Sequence, residues 1–363
     1  MRFGFRLLCF LVGFPFLGYA QYSNDWIRTG QAYYRIPIAK KGVYRLTTSD
    51  LQSAGVPIGS IDPRRIQIFH RGQEQSIFVQ GQADASLDAG DYLEFYAVGN
   101  DGSLDKDLYK PSTSQPHTYY NLYSDTAAYF LTWQLSATQG KRIANFSEVN
   151  VTNIPKEIFH TDERLFVNNN QYSGGNKVDD VVQYTHFDVG EGWTGTALQG
   201  GQSVDYTLDL ITQTVQPSGD PQLELLLVGR DQIAHTAEIY VGANAGSLRL
   251  LDTHSFSGFT AEKLSYSLLW SDIGADGRFT IRLTAPAAGT NRFQFSTSYI
   301  KISFPQSFNA SGVTEKNYFL SSNPANKSYV EFDNAAANLR VWDVTDQLNS
   351  VSIGTTSAAS ILK

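Results

Sequence analysis

Thiols are almost absent from this chain. Of its 363 residues only Cys9 carries one, and Met1 is the only methionine. Both lie in a leader-like stretch. Arg2 and Arg6 precede an apolar run from Leu7 to Leu17, and Gly18-Tyr19-Ala20 supplies the residues for cleavage. This pattern predicts a secretory signal peptide over residues 1–20, cut between Ala20 and Gln21. The run falls short of the ~20 apolar residues that a membrane span needs. Leu7-Leu8-Cys9 lacks the small residue of a lipidation site and sits too near Met1. The processed chain would then have no thiol for a disulfide, a metal or nucleophilic attack, and would fold on its core alone. The location expected is the periplasm, the outer membrane or the cell surface.

Charge is also sparse. Charged residues make up 17% of the chain and the net charge is −7, with Lys and Arg scattered rather than gathered into a stripe. Nucleic acid is therefore not an expected partner. The 13% of aromatic residues and the 30 glycines fit β structure. About 340 residues remain after the leader, enough for two or three domains.

The stretch from Tyr34 to Asp107 organises what is present. Tyr34, Ile36 and Ile38 alternate as on a half-buried strand, and so do Ile66/Ile68 and Ile77/Val79 on either side of Gly72. Ala39 to Val43 hold a glycine suited to a hairpin reversal. Ser49-Asp50-Leu51-Gln52 with Gly55 reads as one capped helical turn and its stop. Tyr129 to Trp133 reads as the closing strand of a module spanning 21–135. A connection rich in Gly and Asn follows over 156–200, with a strand at Val181 to Phe187. Strands then recur through Pro305, at Val204–Leu210, Leu223–Val228, Ala237–Val241, Leu264–Trp270, Phe279–Leu283 and Phe293–Phe304. In the last of these the apolar parity slips at Tyr299-Ile300, which predicts a bulge. The fold class expected is mainly β: a small N-terminal β-meander module with a short helix, a jelly-roll-like β-sandwich over 156–305, and a truncated β-rich tail over 306–363. Within the tail, strands are expected at Asn317–Leu320, Ser328–Phe332 and Asn338–Val344, with mobility beyond about residue 350.

The order GVYRLT, a DL helix, IQIFHRG and GDYLEFYAVGNDG (residues 42–102) resembles the N-terminal region of PorU-type proteins, and Asp162-Glu163-Arg164 and Gly192-Trp193-Thr194-Gly195 extend the likeness. These are gingipain-related cysteine peptidases that act as sortases of the type IX secretion system in Bacteroidota. In that family the catalytic Cys and His lie in a caspase-like domain downstream. The resemblance thus implies a non-catalytic front region, with that peptidase domain and other secretion-system proteins at the outer membrane as partners.

The residues themselves name no catalytic site, cofactor or metal. His70, His117, His160, His186, His235 and His254 fall at no metal-ligand spacing, and His160 with Glu163 lacks the second His of a zincin. The loop from Asp101 to Asp107 is rich in oxygen ligands but lacks EF-hand spacing, so a plain turn competes with a Ca²⁺ site. Gly190 to Gly195 matches the dinucleotide fingerprint without the helix that it requires, and reads as a glycine-lined turn around a partly buried Trp193. Asp179 and Asp180, adjacent on an extended chain, point to opposite faces and make no acid–base dyad. No enzymatic activity is therefore expected of this chain. The alternative is a free-standing carbohydrate-binding module with Trp193 and Trp270 as its platform. Against it, Trp270 is in phase with Leu264 and Leu268 and is expected in the core.

Overall fold

A computed structural model describes residues 24–148, 153–178, 182–210, 219–287, 293–322, 327–358 and 361–362. The leader, Cys9, the Ala20/Gln21 junction and the Asp179-Asp180 pair lie outside the described residues.

The first module has seven strands: β1 (Tyr34–Ile38), β2 (Gly42–Thr47), β3 (Ile66–His70), β4 (Gln73–Gln75), β5 (Phe78–Gln80), β6 (Tyr92–Ala97) and β7 (Ala127–Trp133). They form two sheets, ordered β1-β7-β3-β4 and β2-β6-β5. Ile38, Ile66, Ile68, Leu93, Phe95, Tyr129 and Leu131 close the core between them. The hairpin expected at Ala39–Val43 does not form: β1 pairs with β7 and β2 with β6, so the connection is a corner between sheets. Ile38 and Phe95 thereby meet in one core, which an isolated hairpin could not provide. A true hairpin joins β3 to β4, through Arg71 at φ 49° and Gly72 at φ 77°, the left-handed pair that a tight two-residue loop demands. The short helix is present as α1 (Thr48–Ser53). Thr47 and Asp50 form its capping box, and Gly55 at φ 78° follows its end.

Beyond β8 (Ala144–Phe146) come β9 (His160–Val167) and two small ribbons: β10 (Gln171–Gly174) with a later strand, and β11 (Lys177–Val178) with β12 (Val182–Gln183). The strand expected over Val181–Phe187 thus reduces, among the described residues, to β12 and one bridge, Phe187 to Tyr109. The partner of β10 is β13 (Glu191–Thr194). There follow β14 (Leu198–Gln199), β15 (Ser203–Asp209), β16 (Gln222–Gly229), β17 (Ala234–Gly242), β18 (Arg249–Ser257), β19 (Ala261–Ser267), β20 (Arg278–Thr284) and β21 (Gln294–Gln306).

These strands make a β-sandwich. One sheet runs β14-β21-β16-β19, with β9 also on β21, and the other runs β15-β20-β17-β18. Leu223, Leu225 and Leu227 of the first sheet meet Ala237, Ile239, Val241, Phe279, Ile281 and Leu283 of the second. The bulge is where the parity break placed it. Leu226 faces Tyr299 and Leu227 faces Thr297, so Ser298 is the extra residue on β21.

After β21 the chain turns back to the first module. The expected strand at Asn317–Leu320 reduces to one bridge, Phe319 to Thr161, and that at Ser328–Phe332 to a bridge at Tyr329 and β22 (Phe332–Asp333). β23 (Val341–Asp343) falls inside the third expected strand. Past residue 350, where mobility is expected, the chain forms β24 (Val351–Ile353). This strand pairs antiparallel with β23 and parallel with β8, because the connection after the first module supplies it an edge. β25 (Ser357–Ala358) and β26 (Ile361–Leu362) complete a small sheet with β22.

Candidate interaction site

The sandwich and the first module are joined at the bulge of β21. From the first module, the loop between β6 and β7 sends His117, Tyr119 and Tyr120 onto the outer face of the β16–β21 sheet, where Tyr119 packs with Leu226, Val228 and Tyr299. Ser298, displaced by the bulge, donates its hydroxyl to the Trp193 carbonyl at 3.1 Å and lies 2.9 Å from His117 Nε2. The Tyr119 N–H reaches His117 Nδ1 at 3.1 Å. With Nδ1 accepting and the serine proton already given to Trp193, the imidazole is the neutral Nε2–H tautomer. Burial, with Lys263 adding to it, pushes the His117 pKa down to about 4. The Tyr120 hydroxyl takes the Trp193 N–H at 2.7 Å, and Tyr109 donates to the Glu191 carbonyl at 3.0 Å.

This explains the glycine-rich Gly190–Gly195 segment without a nucleotide. Gly192 has φ 139°, and a Cβ there would stand 2.5 Å from the Tyr120 hydroxyl. The glycine is required for close approach of a tyrosine. Trp193 is half-buried as expected, but on strand β13 rather than in a turn. Its ring meets Tyr172 edge-on at 5.4 Å.

Beside this junction Glu224 gathers the charges of the outer face. It accepts from Tyr299 at 2.9 Å and pairs with Lys263 at 3.1 Å and Lys301 at 3.4 Å. Burial alone would raise its carboxyl; the Tyr299 hydroxyl and the two lysines hold it below the usual range.

The C-terminal segment makes the second junction. The Val43 N–H on the β2 edge donates to Glu315 Oε1 at 2.6 Å, and Lys316 pairs with Asp162 of β9 at 3.2 Å. Glu94 of β6, only 2% exposed, is held by Arg45 at 2.7 Å and by Arg340 from the returning segment. Leu348 accepts a hydrogen bond from Ser76 at 2.8 Å. One strap therefore touches both the first module and the sandwich.

The six histidines are dispersed. His70 stacks on Tyr129 at 4.1 Å, and His160 is buried against Tyr318 and Phe308. His186 stacks on Tyr184. His235 and His254 lie on either side of Phe256, with Asp231 3.0 Å from His235 and Glu262 3.6 Å from His254. Among the described residues no group of three or more His, Cys, Asp or Glu is placed to hold a metal. In the Asp101–Asp107 loop, Asp101 caps the turn at Ser103, and buried Asp105 accepts from Asn121 and Leu122.

Trp270 ends up in a 3-10 turn (Trp270–Asp272), packed against the sandwich core but only partly buried, with its indole N–H on the Gly219 carbonyl at 3.1 Å. Trp193 is fixed at the bulge beside Leu226/Leu227, whereas Trp270 lies by the start of β16, where Leu268 donates to the Pro221 carbonyl. The two do not form one platform. The sequence marks His117 only as a histidine without a metal-ligating partner, and no motif marks Tyr109, Tyr120, Glu315 or Arg340. The density of Tyr in the passage from Leu104 to Tyr129, outside any strand pattern, is the signal it offers for the two tyrosines.

The fold and its junctions define a multi-module β scaffold, and among the described residues no helix is long and apolar enough to cross a membrane. No protein-family model and no curated protein matches the sequence. Among solved structures, the fold is similar to dimeric latent PorU from Porphyromonas gingivalis, at 16% identity and a TM-score of 0.62 over 92% of this chain. The chain spans 30% of that protein's length. A PorU-like fold is thereby established for it. The CBM36-1 domain of a multidomain xylanase from the hindgut metagenome of Trinervitermes trinervoides matches 39% of this chain at 16% identity, covering 96% of that domain with a TM-score of 0.24. A CBM36 module in complex with calcium and xylotriose matches 39% at 12% identity, covering 98% of that module with a TM-score of 0.22. Likeness at these last two scores is too weak to bear on function.

Proposed function

We propose that this chain is the β-rich, non-catalytic front region of a secreted PorU-type cysteine peptidase, a sortase of the type IX secretion system. Its work is to hold three β units in fixed relation, support a peptidase domain and present protein-binding surface at the outer membrane. The observation that carries this reading is the likeness in fold over 92% of the chain to PorU. The two junctions add to it: the bulge clasp at Ser298 and the strap at Glu315 and Arg340 suit a scaffold that positions a neighbour rather than a chain that turns over substrate. No observation favours the sugar-binding alternative, since Trp193 and Trp270 are held apart. The test is deletion of the gene in the producing bacterium. Type IX cargo should then stay unprocessed, and complementation with an Arg340→Ala, Glu315→Ala double variant should restore processing only in part. Normal cargo processing in the deletion strain would refute the reading.

A further inference from the structure

A cleft of about 520 Å³ opens where the returning C-terminal segment meets the first module. It is lined by Trp26, by the β3–β4 hairpin, and by Gln347 and Leu348 of the returning segment. That segment is tied down by the Ser76 hydroxyl on the Leu348 carbonyl at 2.8 Å.

The indole of Trp26 is immobilised on three sides. It stacks on Phe69 at 5.2 Å, meets Tyr33 edge-on at 5.3 Å and leans on Phe130 at 5.5 Å. A rigid aromatic wall costs little entropy to bind against. Arg71 is the one Lys or Arg among the residues lining the cleft. The left-handed turn that makes the hairpin also fixes its backbone. Its guanidinium reaches Asn100 Oδ1 only at 3.5 Å and has no carboxylate within ion-pair distance among the described residues. That contact is at the outer limit of a hydrogen bond, so most of the five guanidinium donors are left to solvent or ligand. The other two titratable groups of the cleft are accounted for. His70 is stacked on Tyr129 with Nδ1 at the Ala128 carbonyl, and Asp25 is engaged within the chain.

One unanswered planar cation, one fixed aromatic wall and a volume in the range of small-ligand sites occur together. We propose that this cleft binds a carboxylate carried on a flat apolar group, Arg71 pairing with the carboxylate and Trp26 packing against the apolar body. A guanidinium suits this because it can meet both carboxylate oxygens at once. Gln347 and Leu348 of the strap line the cleft, so an occupant would also favour the docked state of the strap by linkage. The proposal does not depend on the family reading above and can fail without it.

Benzoate and benzamide share shape and differ in charge, which makes them the probe pair. In calorimetric titrations benzoate should bind saturably in the millimolar range, with benzamide at least about tenfold weaker. Arg71→Asn should abolish the preference, since Asn tolerates the left-handed turn while removing the cation. Equal binding of the two probes, unchanged benzoate binding by R71N, or no saturable benzoate binding up to about 20 mM would each overturn the proposal. If R71N does not fold, the comparison of the two probes on the unaltered protein decides the question.

Discussion

The Glu315 carboxylate accepts the backbone N–H of Val43 at 2.6 Å, across 272 residues of sequence. Val43 sits on β2, the edge of its sheet, whose outward N–H groups would otherwise be open to another strand. Gly42 makes the approach possible, since a Cβ there would lie 2.8 Å from the same oxygen. An edge is thus closed by a side chain from the far end of the chain.

Glu315→Ala should free the Val43 amide. Hydrogen exchange is expected to quicken at Val43 and at the bridge between Phe319 and Thr161, with a stability loss of about 1 kcal/mol because the contact is exposed. Unchanged exchange at both places would show that the strap is held without this bond.

Arg340→Ala should cost more. It removes one of the two cations on Glu94, a carboxylate that is 2% exposed. Arg340 also lies over the rings of Phe78 and Trp342. A loss of about 2 kcal/mol is expected, with β23 and β24 the first region cut in limited proteolysis. A variant with unaltered melting and cleavage would place the docking energy elsewhere.

Acid should weaken the fold through histidine. Burial, assisted by Lys263 and Lys316 respectively, pushes both His117 and His160 down to about 4. In the unfolded chain they return to ~6.5. Between these values the unfolded state binds more protons, so the stability present above ~6.5 is lost as pH falls towards 4, by an amount on the order of 3 kcal/mol per ring. Raised carboxyls such as Asp105 and Glu191 act in the opposite sense. Ring-proton NMR is therefore the direct check, and titration of either ring near 6.5 would contradict the buried neutral assignment.

Trp270→Ala is expected to cost about 2–3 kcal/mol, less than a fully enclosed tryptophan, because the side chain is only partly buried. Retention on insoluble polysaccharide should be the same before and after the change. Loss of retention with full stability would restore the sugar-platform reading.

Export can be read directly. If residues 1–20 are a cleaved leader, protein recovered from the producing host should begin at Gln21 and, with Cys9 removed, take up no maleimide. A retained Met1 in the exported fraction would contradict the leader assignment.

Local pattern determined much of the sandwich. Strands with strict alternation against a deep core, such as Phe279/Ile281/Leu283 and Ala237/Ile239/Val241, are legible because burial on one face is a period-2 property. The bulge was legible for the same reason, since one extra residue inverts the parity. β18 escaped because it obeys another rule. It is an edge strand whose inward positions Asp252 and His254 are polar, answered across the flank by Tyr266 and Glu262. A bulge at Leu251 breaks its register as well. Inward polar groups protect an edge but erase the apolar signal.

What the sequence could not determine was which edge meets which. The corner at Ala39–Val43 and a hairpin use the same residues, and the choice between them was made by the core that Ile38 shares with Phe95 and Tyr129. The junctions were decided at the same level. His117 meets Ser298 and Val43 meets Glu315 across separations of 181 and 272 residues. No local periodicity encodes such pairs, because each half is satisfied only after both modules have folded and come together.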